Sequence, residues 1–346
     1  MARRSWARSI VVAVLASAGA GAAQLGLGYG LGIITWVSPS GADTVVTGRG
    51  AWTASLAWAA WVAATSVVIG AVSADRTGRT VESGPWVRGA WRIVTALAAA
   101  IGALVTVPLV AVPASAAQLN DNFAPQLLAA TYTVSGVVLG LAVALAAMAS
   151  RAIAANVFAT AGWLWALAIV TVGDGILSRS ALGSAQLGVW KFTDGGPVWR
   201  DFYVPGALLM LGAALLIGGL AAFPAAGRGD RRGGVAISGA VGPLLIAVAC
   251  LLASPKADTA PIEQVSAYLT APYTVIAGLA GSVLVAVVGA VPGRGGRPAR
   301  TGESDRPPEF APDLVDETWP GALPPAMPAT ISATASVPAA SRTTPQ

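Results

Sequence analysis

The stretch Leu127–Ser150, LLAATYTVSGVVLGLAVALAAMAS, contains no Asp, Glu, Lys or Arg. A helix rises about 1.5 Å per residue, so about 20 apolar residues cross a hydrocarbon core of about 30 Å, and this run is long enough to span it. Working outward, seven more runs meet the same test, and the eight fall at 9–37, 51–73, 93–118, 127–150, 152–173, 203–224, 235–254 and 269–291. Charged side chains stay out of them, apart from Arg151 and Asp174 at boundaries. The expected fold class is all-α, a polytopic integral membrane protein with about eight transmembrane helices.

Composition agrees with this reading. Of 346 residues, 55% are hydrophobic and 11% charged, whereas about a quarter are charged in an ordinary soluble domain. The formal charge of +5 would suit a nucleic-acid binder only if the basic residues gathered on one soluble face. Here the arginines form short blocks between apolar runs, so the lipid bilayer is the expected partner and nucleic acid is not.

Several chemistries are excluded. Histidine is absent and Cys250 is the one cysteine, which rules out a His-based triad and leaves zinc, haem and iron–sulfur centres without suitable ligands. The glycine-rich run GLGYGLG lies in an apolar segment, follows no strand and lacks the Lys-Ser/Thr of a phosphate-binding loop. Asp174, Asp194 and Asp201 are carboxylates with no identifiable partner base. No catalytic, cofactor-binding or metal-binding residue is therefore assigned, no cofactor is expected, and the chain is not read as an enzyme.

Orientation follows from the basic residues, because Lys- and Arg-rich loops stay in the cytoplasm. One side collects Arg3, Arg4, Arg8, Arg76, Arg79, Arg88, Arg92, Arg151, Arg228, Arg231, Arg232, Arg294, Arg297 and Arg300; the other has Arg49, Arg179, Lys191, Arg200 and Lys256. The expected layout is a cytoplasmic N-terminus at 1–8, a first membrane half at 9–150, a second at 151–292, and a Pro/Ala-rich disordered cytoplasmic tail at 293–346, placing the chain in the cell membrane. The opening MARRSWARSIVVAVLASAGAGAAQ has the features of a secretory signal peptide. Uncharged sequence runs on from Ser9 to Val37, however, which favours an uncleaved first helix.

The halves echo one another in order. Leu128-Ala129-Ala130-Thr131-Tyr132-Thr133-Val134 matches Leu269-Thr270-Ala271-Pro272-Tyr273-Thr274-Val275. Weaker echoes pair Leu31–Thr35 with Leu167–Thr171, Val68–Gly70 with Leu216–Gly218, and Val107-Pro108-Leu109 with Gly242-Pro243-Leu244. Four crossings per half make this a parallel 4+4 duplication. Pro108 and Pro243 then sit at equivalent depths, where each removes a backbone hydrogen bond and can kink its helix beside a cavity. Tyr132 and Tyr273 are the matched candidates for groove contacts. Gly28 and Gly32 form a small-xxx-small pair suited to close helix packing.

Tryptophans mark boundaries where Trp36, Trp52, Trp86 and Trp91 flank loops, because indole favours the headgroup region. Trp58, Trp61, Trp163 and Trp165 fall inside helices and are read either as packing or as an aromatic groove wall. The long outer loop 174–202 carries Trp190 and Trp199 among residues of both charge signs. It is read as an interfacial amphipathic helix or a binding lid, with a turn at Asp194-Gly195-Gly196-Pro197. In the tail, Glu309–Trp319 interleaves acids with apolar residues and can act as a docking motif. These features lead to the expectation of a non-catalytic multi-pass protein acting through envelope or membrane partners, by way of 174–202 or the tail. The alternative is a permease- or flippase-like protein moving a weakly polar or lipid-like molecule between the halves. Ionisable groups at mid-membrane, which charge-coupled transport needs, are absent from the predicted spans.

Overall fold

A computed structural model describes residues 2–36, 44–77, 84–117, 124–177, 187–188, 198–199, 202–253 and 262–288. The predicted tail at 293–346 and its Glu309–Trp319 motif lie outside the described residues. In chain order the elements are α1 (Ala2–Gly30), α2 (Thr44–Thr77), α3 (Pro85–Ala103), α4 (Thr106–Ala114), α5 (Pro125–Ala149), α6 (Arg151–Leu177), β1 (Val198–Trp199), β2 (Phe202–Tyr203), α7 (Val204–Gly227), α8 (Arg232–Leu252) and α9 (Ile262–Val288). Among the described residues eight spans are long and apolar enough to cross a membrane, with α3 and α4 together forming the third. The chain is thus an all-α polytopic membrane protein.

Helix ends differ from the sequence reading where conformation, and not hydropathy, sets them. Uncharged sequence continues to Val37, but α1 stops at Gly30. Gly32 adopts φ +69°, a backbone state that costs other residues about 1–2 kcal/mol. Its N–H donates to the Tyr29 carbonyl at 3.1 Å, and the Ile33 N–H donates to the Gly28 carbonyl at 2.9 Å, the two bonds of a Schellman cap. The pairing of Gly28 and Gly32 as a helix–helix stripe is therefore corrected: Gly32 is in a turn, and Gly28 faces Ile34 of the same returning segment. Elsewhere helices outrun the predicted spans. Helix α2 continues through Asp75 and Arg76, α6 through Asp174, and α9 begins early enough to include Glu263. Charges are tolerated there because these turns lie beyond the hydrocarbon thickness.

The third crossing is broken between Ala103 and Thr106. Pro108 has no N–H for the Leu104 carbonyl and its ring crowds that group; the Val107 N–H takes the carbonyl over at 3.0 Å in a tighter turn. Pro113 likewise leaves the Leu109 carbonyl without its helical donor. The Tyr29 hydroxyl donates to that carbonyl at 3.0 Å and accepts the Trp36 Nε1–H at 3.0 Å. The proline's lost bond is thus replaced by a neighbouring side chain.

Within the first half, α1 packs on α2 and α3, α2 on α3 and α5, and the α3–α4 crossing on α5; within the second, α6 packs on α7 and α8, α7 on α8 and α9, and α8 on α9. Corresponding crossings therefore pair alike. The halves meet where α2 and α5 face α6 and α8. Helix α2 is the central element: 94% of its most apolar window is buried inside the protein, against 33% for α7 and 28% for α9. Close approach depends on missing side chains. A Cβ on Gly136 or Gly140 of α5 would strike the backbone of Ala60 or Ala64 of α2, and one on Gly278 of α9 would strike the Gly239 carbonyl of α8. Apolar side chains exposed on the outer faces, such as Leu216, Leu220, Ile276 and Leu284, are those a bilayer would solvate.

Arg8, Arg76, Arg88, Arg92, Arg151, Arg228, Arg231 and Arg232 lie in the end segments of helices or beside them, at ends that successive crossings return to one side of the bundle. Trp6 stacks on Trp91 at that end, with ring centroids 4.8 Å apart.

Candidate functional site

The seam between the halves carries polar side chains at three depths. At mid-depth, Gln24 of α1 places its Oε1 3.2 Å from both Thr65 Oγ1 of α2 and Trp165 Nε1 of α6. Its Nε2 donates to the Ala20 carbonyl at 3.2 Å and to Ser66 Oγ at 3.3 Å. A carboxamide has two donor hydrogens and one two-lone-pair acceptor, so Gln24 is fully used. Beside it, Trp58, Trp61 and Trp165 cluster, with centroids 5.3 Å apart for Trp58–Trp165 and 5.5 Å for Trp58–Trp61. Trp58 and Trp61 are each 1% exposed. Of the two readings, these rings therefore fill the seam and do not wall a groove.

At the arginine-rich end, the Arg76 guanidinium of α2 lies 5.7 Å from the Phe158 ring centroid of α6, a cation–π distance. At the opposite end, Gln264 of α9 donates from Nε2 to Thr53 Oγ1 of α2, while its Oε1 is buried without a partner. These groups line a cavity of about 20 Å³ together with Ala57, Cys250, Tyr268 and Leu187, room for about one water.

Leu187 belongs to the long loop and is 3% exposed. The adjoining Gly188, at φ +81°, sits among Leu164, Met210 and Ile246. Irregular backbone is tolerated at such a place because protein surrounds it. The described parts of 174–202 are the end of α6, this two-residue insertion and the strand pairing of Val198 with Tyr203 and Trp199 with Phe202; the rest of the loop, on which the expected amphipathic helix falls, lies outside the described residues. The Tyr203 N–H donates to Ser266 Oγ of α9 at 2.9 Å, which anchors the hairpin. Asp174 is in α6, whereas Asp194, Asp201 and the 194–197 turn lie outside the described residues.

A second cavity of about 20 Å³ lies inside the second half, lined by Thr160, Trp163, Gly188, Met210, Pro243 and Thr274, among others. Asn156, fully buried, accepts the Gly242 N–H at 2.7 Å on Oδ1. Its Nδ2 and the Thr160 hydroxyl are buried without partners.

The residues singled out in the sequence do not converge. Tyr132 is half-buried against the first half's core, whereas Tyr273 is 55% exposed on α9. Pro108 is exposed where the third crossing breaks, whereas Pro243 is buried in an unbroken α8 and lines the second cavity. Trp199 contributes backbone to β1, and Trp190 is outside the described residues. Trp36 and Trp52 pack edge to face, centroids 4.9 Å apart, and are buried where the chain returns after Gly32, so they do not face the headgroups. The groups that do organise the seam, Gln24 and Gln264, together with Asn156, were passed over. Their signal was a carboxamide in or beside an apolar run, where it must find a partner. No protein-family model, curated protein or solved structure matches this chain.

Proposed function

We propose that this chain is a non-catalytic multi-pass protein of the cell membrane that acts through membrane or envelope partners, with its arginine-rich end and both termini cytoplasmic. The observation that carries the reading is the seam: Arg76–Phe158, Gln24 with Thr65 and Trp165, and Thr53–Gln264 join the halves at three depths around two buried tryptophans. Such a joint favours one body over two halves that rock apart around a substrate. The matched pairing of crossings supports a parallel duplication as the origin of that body. So does the contact of first and third crossings beside each proline, Gly21 with Thr106 and Thr160 with Gly242.

In vesicles, the reconstituted chain is expected to leave solute and lipid distribution unchanged, and affinity capture from intact membranes is expected to retain a partner that deletion of 293–346 or 178–197 removes. Solute or lipid movement abolished by substituting Tyr132 and Tyr273 would overturn this in favour of a permease- or flippase-like protein. That second reading draws its support from the cavity beside Pro243 with its unpartnered Thr160 hydroxyl. Orientation is tested separately: Ala185→Cys in a Cys250→Ala background should be labelled from outside intact cells.

A further inference from the structure

Hydroxyls buried in a helix bundle commonly close on their own helix, as Thr133 and Thr171 do by donating to the carbonyl one turn back at 2.8 Å. Thr160 of α6, 4% exposed, does not: its Oγ1 is buried without a partner and the residue lines the cavity inside the second half. One turn before it stands the fully buried Asn156, whose Oδ1 accepts the Gly242 N–H while its Nδ2 has no partner. A Cβ on Gly242 would strike both the Thr160 hydroxyl and Asn156 Oδ1, so these two polar side chains meet over that glycine of α8. Thr274 of α9, also buried, lines the same cavity. Its hydroxyl donates to the Ala271 carbonyl at 2.6 Å, which leaves the oxygen lone pairs to accept. Leu164, Met210, Ile217 and Ile246 supply apolar wall around these groups.

We propose that this cavity binds a single water, which joins α6 to α9. The water accepts from the Thr160 hydroxyl and from Asn156 Nδ2 and donates to Thr274 Oγ1, and about three protein partners is the usual number for an internal water. The cavity volume of about 20 Å³ admits one such molecule and, in this conformation, nothing larger. Two donors that would otherwise stay unpaired inside a membrane-spanning bundle are thereby satisfied. In the first half Gln24 joins α1, α2 and α6 through protein groups alone; in the second, Asn156 reaches α9 by way of a solvent molecule.

X-ray radiolysis of the full chain in nanodiscs, read by mass spectrometry, tests this, because hydroxyl radicals formed from a bound water oxidise the side chain beside it. Met210, 6% exposed, lines the cavity and reports on its water; Met148, also 6% exposed, lines neither cavity and reports on the fold. The expected result is conversion of Met210 to the sulfoxide in the parent chain, severalfold slower in Thr160→Val, which keeps the shape and lacks the hydroxyl, and at the parental rate in Thr160→Ser. Thr274→Val removes the acceptor from the opposite wall and is expected to slow Met210 oxidation as well, with Met148 unchanged throughout. Thr160→Val is also expected to be less stable in bicelles, since it leaves the water and Asn156 Nδ2 short of a partner. A parent chain whose Met210 resists oxidation overturns the proposal, as does oxidation that neither valine variant slows. So does a Thr160→Val chain more stable than the parent, the outcome of deleting a hydroxyl that had nothing to bond.

Discussion

The two halves pair their four crossings alike, and glycines let helices close in both, at Gly136 and Gly140 in the first and at Gly278 in the second, but the halves differ in how far they are enclosed. In the first half a large, almost fully enclosed helix, α2, carries Trp58 and Trp61 at the centre of the molecule. In the second no helix is enclosed to that degree, the most buried being α8 at 56% of its apolar window, and Gly278 of α9 is approached by Gly218 of α7 and by Gly239 of α8. The echo pairs Gly32 with Ala168, yet the chain turns at Gly32 and continues as helix at Ala168. Glycine can take the left-handed conformation there, and alanine pays a strain penalty to do so. The prolines diverge too. Pro108 follows a break, whereas α8 passes Pro243 without one, and the N–H of the preceding Gly242 is taken by Asn156. The comparison teaches that a common packing scheme leaves local conformation open to single residues.

Substitutions can break or sharpen this contrast, read as unfolding free energies in bicelles. The largest effect is expected from Trp61→Ala, which empties the central seam and should cost about 3–5 kcal/mol. Gly278→Val forces a side chain against α8 and should cost about 1–3 kcal/mol or more, whereas Gly212→Val, with nothing within 4 Å of its Cβ position, should cost little. If both behave alike, glycine packing is not what holds the second half. Gly32→Ala should cost about 1–2 kcal/mol, and a loss near zero would mean the cap does not set the end of α1. Gln24→Leu should cost about 0.6–1.7 kcal/mol, the range for polar contacts between helices in membranes. The smallest effect is expected from Tyr29→Phe, at about 0.6 kcal/mol, with Tyr273→Phe as a silent counterpart.

How much of this was legible in the sequence depends on which force decides each feature. The spans were, because solvation of some twenty residues overrides any local preference. The end of α1 was not: hydropathy continues to Val37, while a single backbone angle at Gly32 turns the chain. Tryptophans were legible as interior residues but not as a cluster, since which rings meet depends on helix rotation. Of the groove residues offered by the sequence, Trp163 and Pro243 line the second cavity and, among the described residues, the others line neither. Tyr132 and Tyr273 share a sequence pattern but not an environment, because equivalent positions face the core in one half and the outer surface in the other.

The insertion of Leu187 and Gly188 bears on how the molecule is made. Its surroundings come from α2, α6, α7, α8 and α9, so they emerge from the ribosome at widely separated times. While α9 is still unmade, Thr53 has no Gln264 to bond and one wall of the Leu187 cavity is missing. The seat for this segment is therefore completed by α9, the last of the described crossings to be synthesised, and closure of that end reports that those eight crossings are in place.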